Sequence, residues 1–177
     1  MPILSPYTNH WITSFNLIKI ELQLALAGID FVIEHVGSTA VPNLDAKPII
    51  DIDIIFKEKE TFDLIKLKLE SIGYYHNGNQ GIEDRDVFKR LSNKENSILD
   101  TISHHLYVCP VFSKALERHL LLRNHLQKND AAKLQYQEIK YKLAIEAKQD
   151  RKKYAALKEL HINDFIDVII EKEKAGD

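Results

Sequence analysis

The sequence predicts an α+β fold, with a mixed β-sheet in the first two-thirds of the chain and helices in the last third. Up to about Pro110 the apolar residues tend to alternate with polar ones, whereas from Val111 onward they recur every three or four residues. Strands gathered in one part and helices in another favour α+β over alternating βαβ units. With 177 residues and no linker, we expect one domain, sheet-bearing over about 1–110 and helical over about 111–177.

The first half of the chain predicts two helices and two strands. Residues 9–27 carry apolar side chains at steps of three and four, which indicates an amphipathic helix. The segment FVIEHV, residues 31–36, is short and rich in β-branched residues, so it predicts a strand. IIDIDIIF, residues 49–56, is the clearest strand of the sequence. Residues 58–72 predict a helix that ends at Gly73.

The second half predicts a loop, two strands and three helices. Gly, Asn and Asp dominate residues 77–86, which predicts a loop. Residues 86–92 and 97–110 predict two further strands, the second closed by Pro110. The remaining apolar pattern predicts helices near 112–127, 130–149 and 151–174.

The bulk composition excludes several classes of protein. A formal net charge of −2 and a pI near 6.4 give no global attraction to long nucleic acid or to an anionic membrane. Cys109 is the only cysteine, so no internal disulfide forms, and it has no basic neighbour that would activate a catalytic thiol. No basic segment with an apolar core opens the sequence, and no apolar run approaches the roughly 20 residues of a membrane span. We therefore expect a cytoplasmic protein.

Asp51 and Asp53 are the first candidate site residues. Two residues apart on a strand, their carboxylates project from one face, while the isoleucines between them project from the other. Mg²⁺ is usually held by one or two carboxylates together with substrate phosphates and water. The alternative is an acidic strand face that simply meets solvent. Because no other polar residue interrupts this strand, we favour a divalent-metal site, with Mg²⁺ first and Mn²⁺ or Zn²⁺ as alternatives.

A Gly-Ser-Thr turn precedes this strand by about a dozen residues. Glycine removes the steric barrier to close approach, so the backbone N–H groups and hydroxyls of Gly37, Ser38 and Thr39 can contact a phosphate. Lys47 lies between the turn and the two carboxylates and could pair with a phosphate as a point charge. The pattern predicts that a nucleoside triphosphate or another phosphorylated small molecule binds here.

Residues 35–54, HVGSTAVPNLDAKPIIDIDI, resemble the signature of the GrpB family, a group of nucleotidyltransferase-like proteins. Segments that agree with the family in order are 73–90, 103–108, 118–144 and 150–158. The resemblance covers nearly the whole chain. It implies the fold of the polymerase-β-like nucleotidyltransferase superfamily, in which the turn holds the nucleotide's phosphates and the carboxylates hold the metal. It implies no particular substrate.

Two residues depart from the family pattern. Asn43 stands where the family usually has glycine, and asparagine tolerates the left-handed backbone nearly as well. Tyr107 stands where the family tends to have the second histidine of a His-x-His pair. A phenol is a poor ligand for Mg²⁺ and a poor base at neutral pH.

His105 is the third catalytic candidate. Strand alternation gives His105 and Tyr107 one face and His104 the other. Superfamily enzymes usually place a third acid on a later strand, and HHLYV offers none. His105 could serve there as a general base, or as a nitrogen ligand that favours Mn²⁺ or Zn²⁺. The alternative is a packed structural histidine.

The remaining basic residues and histidines divide by position. Arg85 is the best further phosphate ligand, because it lies where the Gly-rich loop meets a strand. Solvated surface charge is the simpler interpretation of Lys89, Arg90, Arg118 and Arg123. His35 could line the same site or pack in the core. Structural roles are assigned to His119, His125 and His161.

Two functions of different classes are compatible with these residues. The first is a metal-dependent nucleotidyltransferase acting on a small molecule or a protein hydroxyl. The second is a nucleotide- or phosphometabolite-binding module of the same fold that has lost full catalysis, which the missing third carboxylate favours. The oligomeric state cannot be derived from the sequence.

Overall fold

The structure is a computed structural model and describes residues 2–91 and 96–175. Its strands are β1 (Val32–Val36), β2 (Ile50–Phe56), β3 (Tyr74–His76), β4 (Asp86–Arg90) and β5 (His104–Pro110). Its helices are α1 (His10–Ala25), α2 (Thr61–Ser71), α3 (Ser97–Thr101), α4 (Lys114–Lys128), α5 (Asp130–Glu146) and α6 (Arg151–Ala175). These elements confirm the predicted mixed sheet with a helical C-terminal part.

The five strands form one sheet in the order β1-β2-β5-β4-β3. Strands β2 and β5 are parallel, and the other neighbouring pairs are antiparallel. The most apolar strand, β2, therefore lies between β1 and β5, inside the sheet. This position agrees with its unbroken isoleucine face, because an inner strand must bury that face completely.

The two faces of the sheet have different coverings. Ile50, Ile52 and Ile54 are fully covered and pack with apolar residues of α1 and α2. A second apolar cluster joins α4, α5 and α6 to the N-terminal segment and to the loop after β1. The opposite face of β2, which carries the two aspartates, is thus directed toward the helical C-terminal part.

Three local predictions were wrong or incomplete. Residues 97–110 do not form one strand: Ser97–Thr101 is a short helix, because the Asn96 side chain accepts hydrogen bonds from the Ile98 and Leu99 amides at 3.0 and 2.9 Å. The edge strand β3 was not predicted. Residues 38–40, within and just after the predicted Gly-Ser-Thr turn, form a 3₁₀ helix. Asn43 does adopt a left-handed backbone, with φ of 63°.

Some predicted boundaries fall on residues that the structure leaves undescribed. They are Met1, Ser92 at the end of the predicted strand 86–92, and the last two residues of the predicted helical part. None of the helices in residues 2–91 and 96–175 is long and apolar enough to cross a membrane.

Candidate functional site

Strand register places the two aspartates on one face of the sheet. Asp51 is opposite His105 on β5, and Asp53 is opposite Tyr107 on the same strand. Because pairs opposite one another in a sheet share a face, His105 lies beside Asp51 on the side of the helical part. The strand pairing therefore brings together the three residues that the sequence analysis assigned to catalysis.

Each aspartate is hydrogen-bonded to a histidine. His105 donates from Nδ1 to Asp51 Oδ1 at 2.9 Å, and His119 of α4 donates from Nδ1 to Asp53 Oδ2 at 2.8 Å. The side chain of Asp51 is 29% exposed, whereas that of Asp53 is fully buried. Among the described residues, Asp53 Oδ1 has no hydrogen-bond partner. A buried carboxylate oxygen without a partner is unusual and is compatible with a missing cationic ligand.

The structure gives His119 a role that the sequence analysis missed. Its partner Asp53 is 66 residues earlier, and helix spacing alone cannot reveal such a long-range contact. His125 and His161 do not reach the aspartates: His125 bonds to Glu173 at 2.6 Å, and His161 is exposed.

Gly37 lies directly against Asp51. A Cβ atom on Gly37 would be 2.3 Å from Asp51 Oδ2, closer than real Cβ contacts, and the residue has φ of +72°. Only glycine fits both the space and the backbone conformation. The turn and the carboxylate are therefore built as one unit, with Ser38 beginning the 3₁₀ turn that follows.

Thr39 and His35 are hydrogen-bonded to each other beside this unit. His35 Nε2 and Thr39 Oγ1 share a hydrogen bond at 3.0 Å, and Thr39 Oγ1 also donates to the Ile49 carbonyl at 3.3 Å. The His35 ring stacks on Phe15 with centroids 4.6 Å apart, and burial lowers its pKa to about 4. His35 is thus a neutral core residue, and phosphate contacts from this turn would come from Gly37 and Ser38 rather than from the Thr39 hydroxyl.

His104 projects behind the sheet, opposite to His105. Its Nδ1 donates to the Ile102 carbonyl at 2.7 Å, so the Tyr74 hydroxyl donates to its Nε2 at 2.6 Å. Burial lowers the pKa of His104, which keeps the ring neutral. Both ring nitrogens are satisfied, and the residue stabilises the sheet from its other side.

A cavity of about 680 Å³ separates the aspartate face from the helical part, and we call it the cleft. Its lining includes Gly37, Ser38, Asp51, His105 and His119. Basic side chains outnumber acidic ones in that lining by seven to three. The cleft is therefore a local cationic site in a protein with a slightly negative overall charge.

Arg85 enters the cleft from the Gly-rich loop. Its guanidinium stacks on the Tyr107 ring at 4.8 Å, and its buried Nε has no hydrogen-bond partner among the described residues. The other basic candidates on neighbouring elements are already paired. Arg90 bonds to Asp100, Arg118 to Asp167 and Arg123 to Glu34. Arg85 is consequently better placed than these three to receive an anion.

Four lysines line the cleft from different elements: Lys47 precedes β2, Lys114 begins α4, Lys140 is on α5, and Lys158 is on α6. Sequence reasoning predicted Lys47 and missed the other three. A signal existed for Lys140, which occupies the apolar stripe of α5 between Tyr136 and Leu143 and is only 1% exposed. A charged residue in a buried helical stripe indicates a functional or paired position.

A divalent cation fits the aspartate pair in part. The unpaired Asp53 Oδ1 and the partly exposed Asp51 carboxylate offer the oxygen ligands that Mg²⁺ prefers. Within residues 2–91 and 96–175, however, no three His, Cys, Asp or Glu side chains form a ready metal-binding group. The protein alone would thus supply two carboxylates, and the bound phosphates and water would complete the coordination.

The family model for the GrpB protein matches residues 2–172. The chain belongs to the GrpB family. Among curated relatives, UPF0157 protein YqkA of Bacillus subtilis is 32% identical over 78% of this chain, a match that spans 38% of YqkA. The crystal structure of conserved protein GrpB from Enterococcus faecalis matches 97% of this chain and 99% of that one, with a TM-score of 0.78 and 31% identity.

The fold of this GrpB protein also resembles that of Cid1. A structure of Cid1 in complex with its short product ApU matches 76% of this chain and 41% of Cid1, with a TM-score of 0.54 and 15% identity. Another Cid1 structure, a poly(U) polymerase with MgGTP bound, matches 72% of this chain with a TM-score of 0.52. At this identity the likeness shows a nucleotidyltransferase-like fold and no shared activity.

Proposed function

We propose that the cleft binds a nucleoside triphosphate and transfers its nucleotidyl group to a hydroxyl of a small molecule or a protein. The observation that carries the proposal is the contact between the Gly37 turn and Asp51 inside a cleft whose lining has more basic than acidic side chains. Phosphates require the cations, and transfer at phosphorus requires a divalent metal. The contact supports the proposal because the groups for both tasks would then act side by side.

Asp51 and Asp53 would hold a divalent metal, Mg²⁺ or alternatively Mn²⁺ or Zn²⁺, which would neutralise charge on the phosphates. The Gly37 amide and the Ser38 hydroxyl would orient the phosphates, and Lys47 and Arg85 would balance their charge. The oxygen of the acceptor hydroxyl bonds to the α-phosphorus, and the bond from that phosphorus to pyrophosphate breaks. The hydroxyl proton passes to His105, which Asp51 orients through the 2.9 Å hydrogen bond.

A second candidate function is a binding module that holds the nucleotide or a phosphometabolite without turnover. It is favoured by the lack of a ready group of three metal ligands in the described part of the chain. In that case the cationic lining would bind the phosphates, and the histidines would serve as structural partners of the aspartates.

One experiment separates the two. Purified protein is incubated with each of the four nucleoside triphosphates and Mg²⁺ or Mn²⁺, and thermal stabilisation and pyrophosphate release are measured. Stabilisation with release that Asp51→Asn abolishes supports nucleotidyl transfer. Stabilisation without pyrophosphate release supports the binding module. The absence of stabilisation by every nucleotide contradicts both nucleotidyl transfer and nucleotide binding, and would leave only a phosphometabolite as the ligand of the module.

A further inference from the structure

Three of the four lysines of the cleft, Lys47, Lys140 and Lys158, lie close to its aromatic side chains and lack acidic partners among the described residues. In the described part of the chain, none of Lys47, Lys140 and Lys158 has a carboxylate within the 4.0 Å of an ion pair. Their neighbours are neutral aromatic rings. Lys140 Nζ lies 5.0 Å from the Tyr136 ring, and Lys47 Nζ lies 5.9 Å from the Tyr154 ring. Cations that are clustered and partly desolvated without acids are a favourable environment for an anion.

Lys140 also connects this cluster to the Gly-Ser turn. Its Nζ donates to the Asp45 carbonyl at 2.5 Å and to Ser38 Oγ at 3.4 Å. Ser38 follows Gly37, which contacts Asp51. The aspartate, the serine and the buried lysine thus form a continuous line of polar groups. A chain of linked phosphates could follow that line, whereas one phosphate could occupy only part of it.

We propose that Lys47, Lys140 and Lys158 form a subsite for the terminal phosphates of a polyphosphate chain. The inference rests on the proposed function and specifies its substrate class as a ligand with at least two linked phosphates. A single phosphate carries about −1.5 to −2 charges, less than the charge of three lysines. A longer phosphate chain matches that charge.

Anion binding at the subsite should depend on pH, because Lys140 can gain a proton when the anion binds. Burial and, to a smaller extent, Lys158 lower the pKa of the Lys140 ammonium group to about 7, and Asp45 opposes the shift. The other groups facing it are the Ser38 hydroxyl and the Tyr136 ring. In the free protein at pH 8, Lys140 is therefore mainly neutral. A bound anion favours the charged form, so binding takes up a proton.

The test is a calorimetric titration with inorganic tripolyphosphate and with orthophosphate, without metal, at pH 8 in two buffers of different ionisation enthalpy. We expect tripolyphosphate to bind at least tenfold tighter than orthophosphate, with net proton uptake. Lys140→Met should weaken binding by about tenfold and remove the uptake. Lys158→Met should weaken binding and retain the uptake, which keeps the test decisive if the first variant folds poorly. Lys142→Met, an exposed neighbour on α5, should bind as the wild type does.

Three results would overturn the subsite: equal affinities for the two anions, no proton uptake by the wild type, or wild-type binding by both folded lysine variants. A parallel titration with ATP distinguishes two sources of the linked phosphates. If the ligand is a nucleotide, ATP should bind tighter than tripolyphosphate. If the ligand is free polyphosphate, ATP should bind no tighter than tripolyphosphate. The absence of pyrophosphate release together with lysine-dependent binding of tripolyphosphate would end the proposed transfer but leave the subsite standing.

Discussion

Replacing Gly37 with alanine tests how closely the turn and the carboxylate depend on each other. The new Cβ would lie 2.3 Å from Asp51 Oδ2 and 3.0 Å from both Cβ and Cγ of Asp51. Rotating the carboxyl group cannot relieve all three contacts, because Cβ of Asp51 is fixed to strand β2. The turn or the strand must move, and the hydrogen bond from His105 to Asp51 should be lost.

The expected cost has two sources. Gly37 has φ of 72° and ψ of −174°, a backbone region that is nearly restricted to glycine and costs other residues about 1–3 kcal/mol. A hydrogen bond to a charged group contributes about 1.5–3 kcal/mol, and we take the lower part of that range because Asp51 and His105 are 29% and 52% exposed. The sum is roughly 2.5–5 kcal/mol, which lowers the melting temperature by roughly 5–20 °C.

Gly28→Ala is the matched control. Gly28 also has a positive φ, +88°, but a Cβ there would meet nothing within 4 Å, so the cost is the backbone strain of about 1–2 kcal/mol alone. Thermal unfolding measures stability, and calorimetric titration with Mn²⁺ measures metal binding. Gly37→Ala should lose both stability and metal affinity, and Gly28→Ala should lose only some stability. Equal losses of stability with unchanged metal affinity in both variants would refute the dependence of the carboxylate on the turn.

Four further changes test the site and the residues that support it. Asp51→Asn should weaken divalent-metal binding by roughly tenfold or more in a calorimetric titration, since it removes a charged ligand, whereas exposed Asp30→Asn should not; equal affinities would contradict the metal site. His104→Ala should lower the melting temperature by leaving a buried tyrosine hydroxyl without its acceptor, at about 1–3 kcal/mol, and should not affect nucleotide binding. His105→Ala should reduce any turnover by about 10²–10⁴-fold, because it removes the general base, while nucleotide binding stays nearly intact. Because the unfolded chain holds the Lys140 proton up to pH 10.5 and the folded chain only to about 7, wild-type stability should rise from pH 7 to 10 relative to Lys140→Met; a flat difference would contradict the lowered pKa.

Most of the fold could be predicted from local patterns. The isoleucine alternation of β2 and the helical periodicity after Pro110 are strong, and the structure agrees with both. The short helix Ser97–Thr101 could not be separated from β5 by apolar content, since SILDT is as apolar as a strand. Its helical state depends on one side chain, Asn96, capping the first turn.

The residues of the candidate site also differ in whether local sequence patterns could predict them. Asp51, Asp53 and His105 were found because strand alternation fixes which side chains share a face. His119 and Lys158 were missed because they reach the cleft from helices whose packing against the sheet no local pattern specifies. Lys140 could have been found from the sequence, since it interrupts the buried stripe of α5.

The two aspartates look equivalent in the sequence IIDIDII but are inequivalent in the fold. Asp51 reaches the cleft, whereas Asp53 is covered and its Oδ2 is bonded to His119 of α4. An ion in the cleft can therefore contact Asp51 directly, but it can contact the unpaired Oδ1 of Asp53 only if neighbouring atoms move. Because basic side chains outnumber acidic ones in the cleft, we expect a polyanion to bind there before any metal does. Metal-free binding and metal-dependent transfer are for this reason separable properties, and each must be measured on its own.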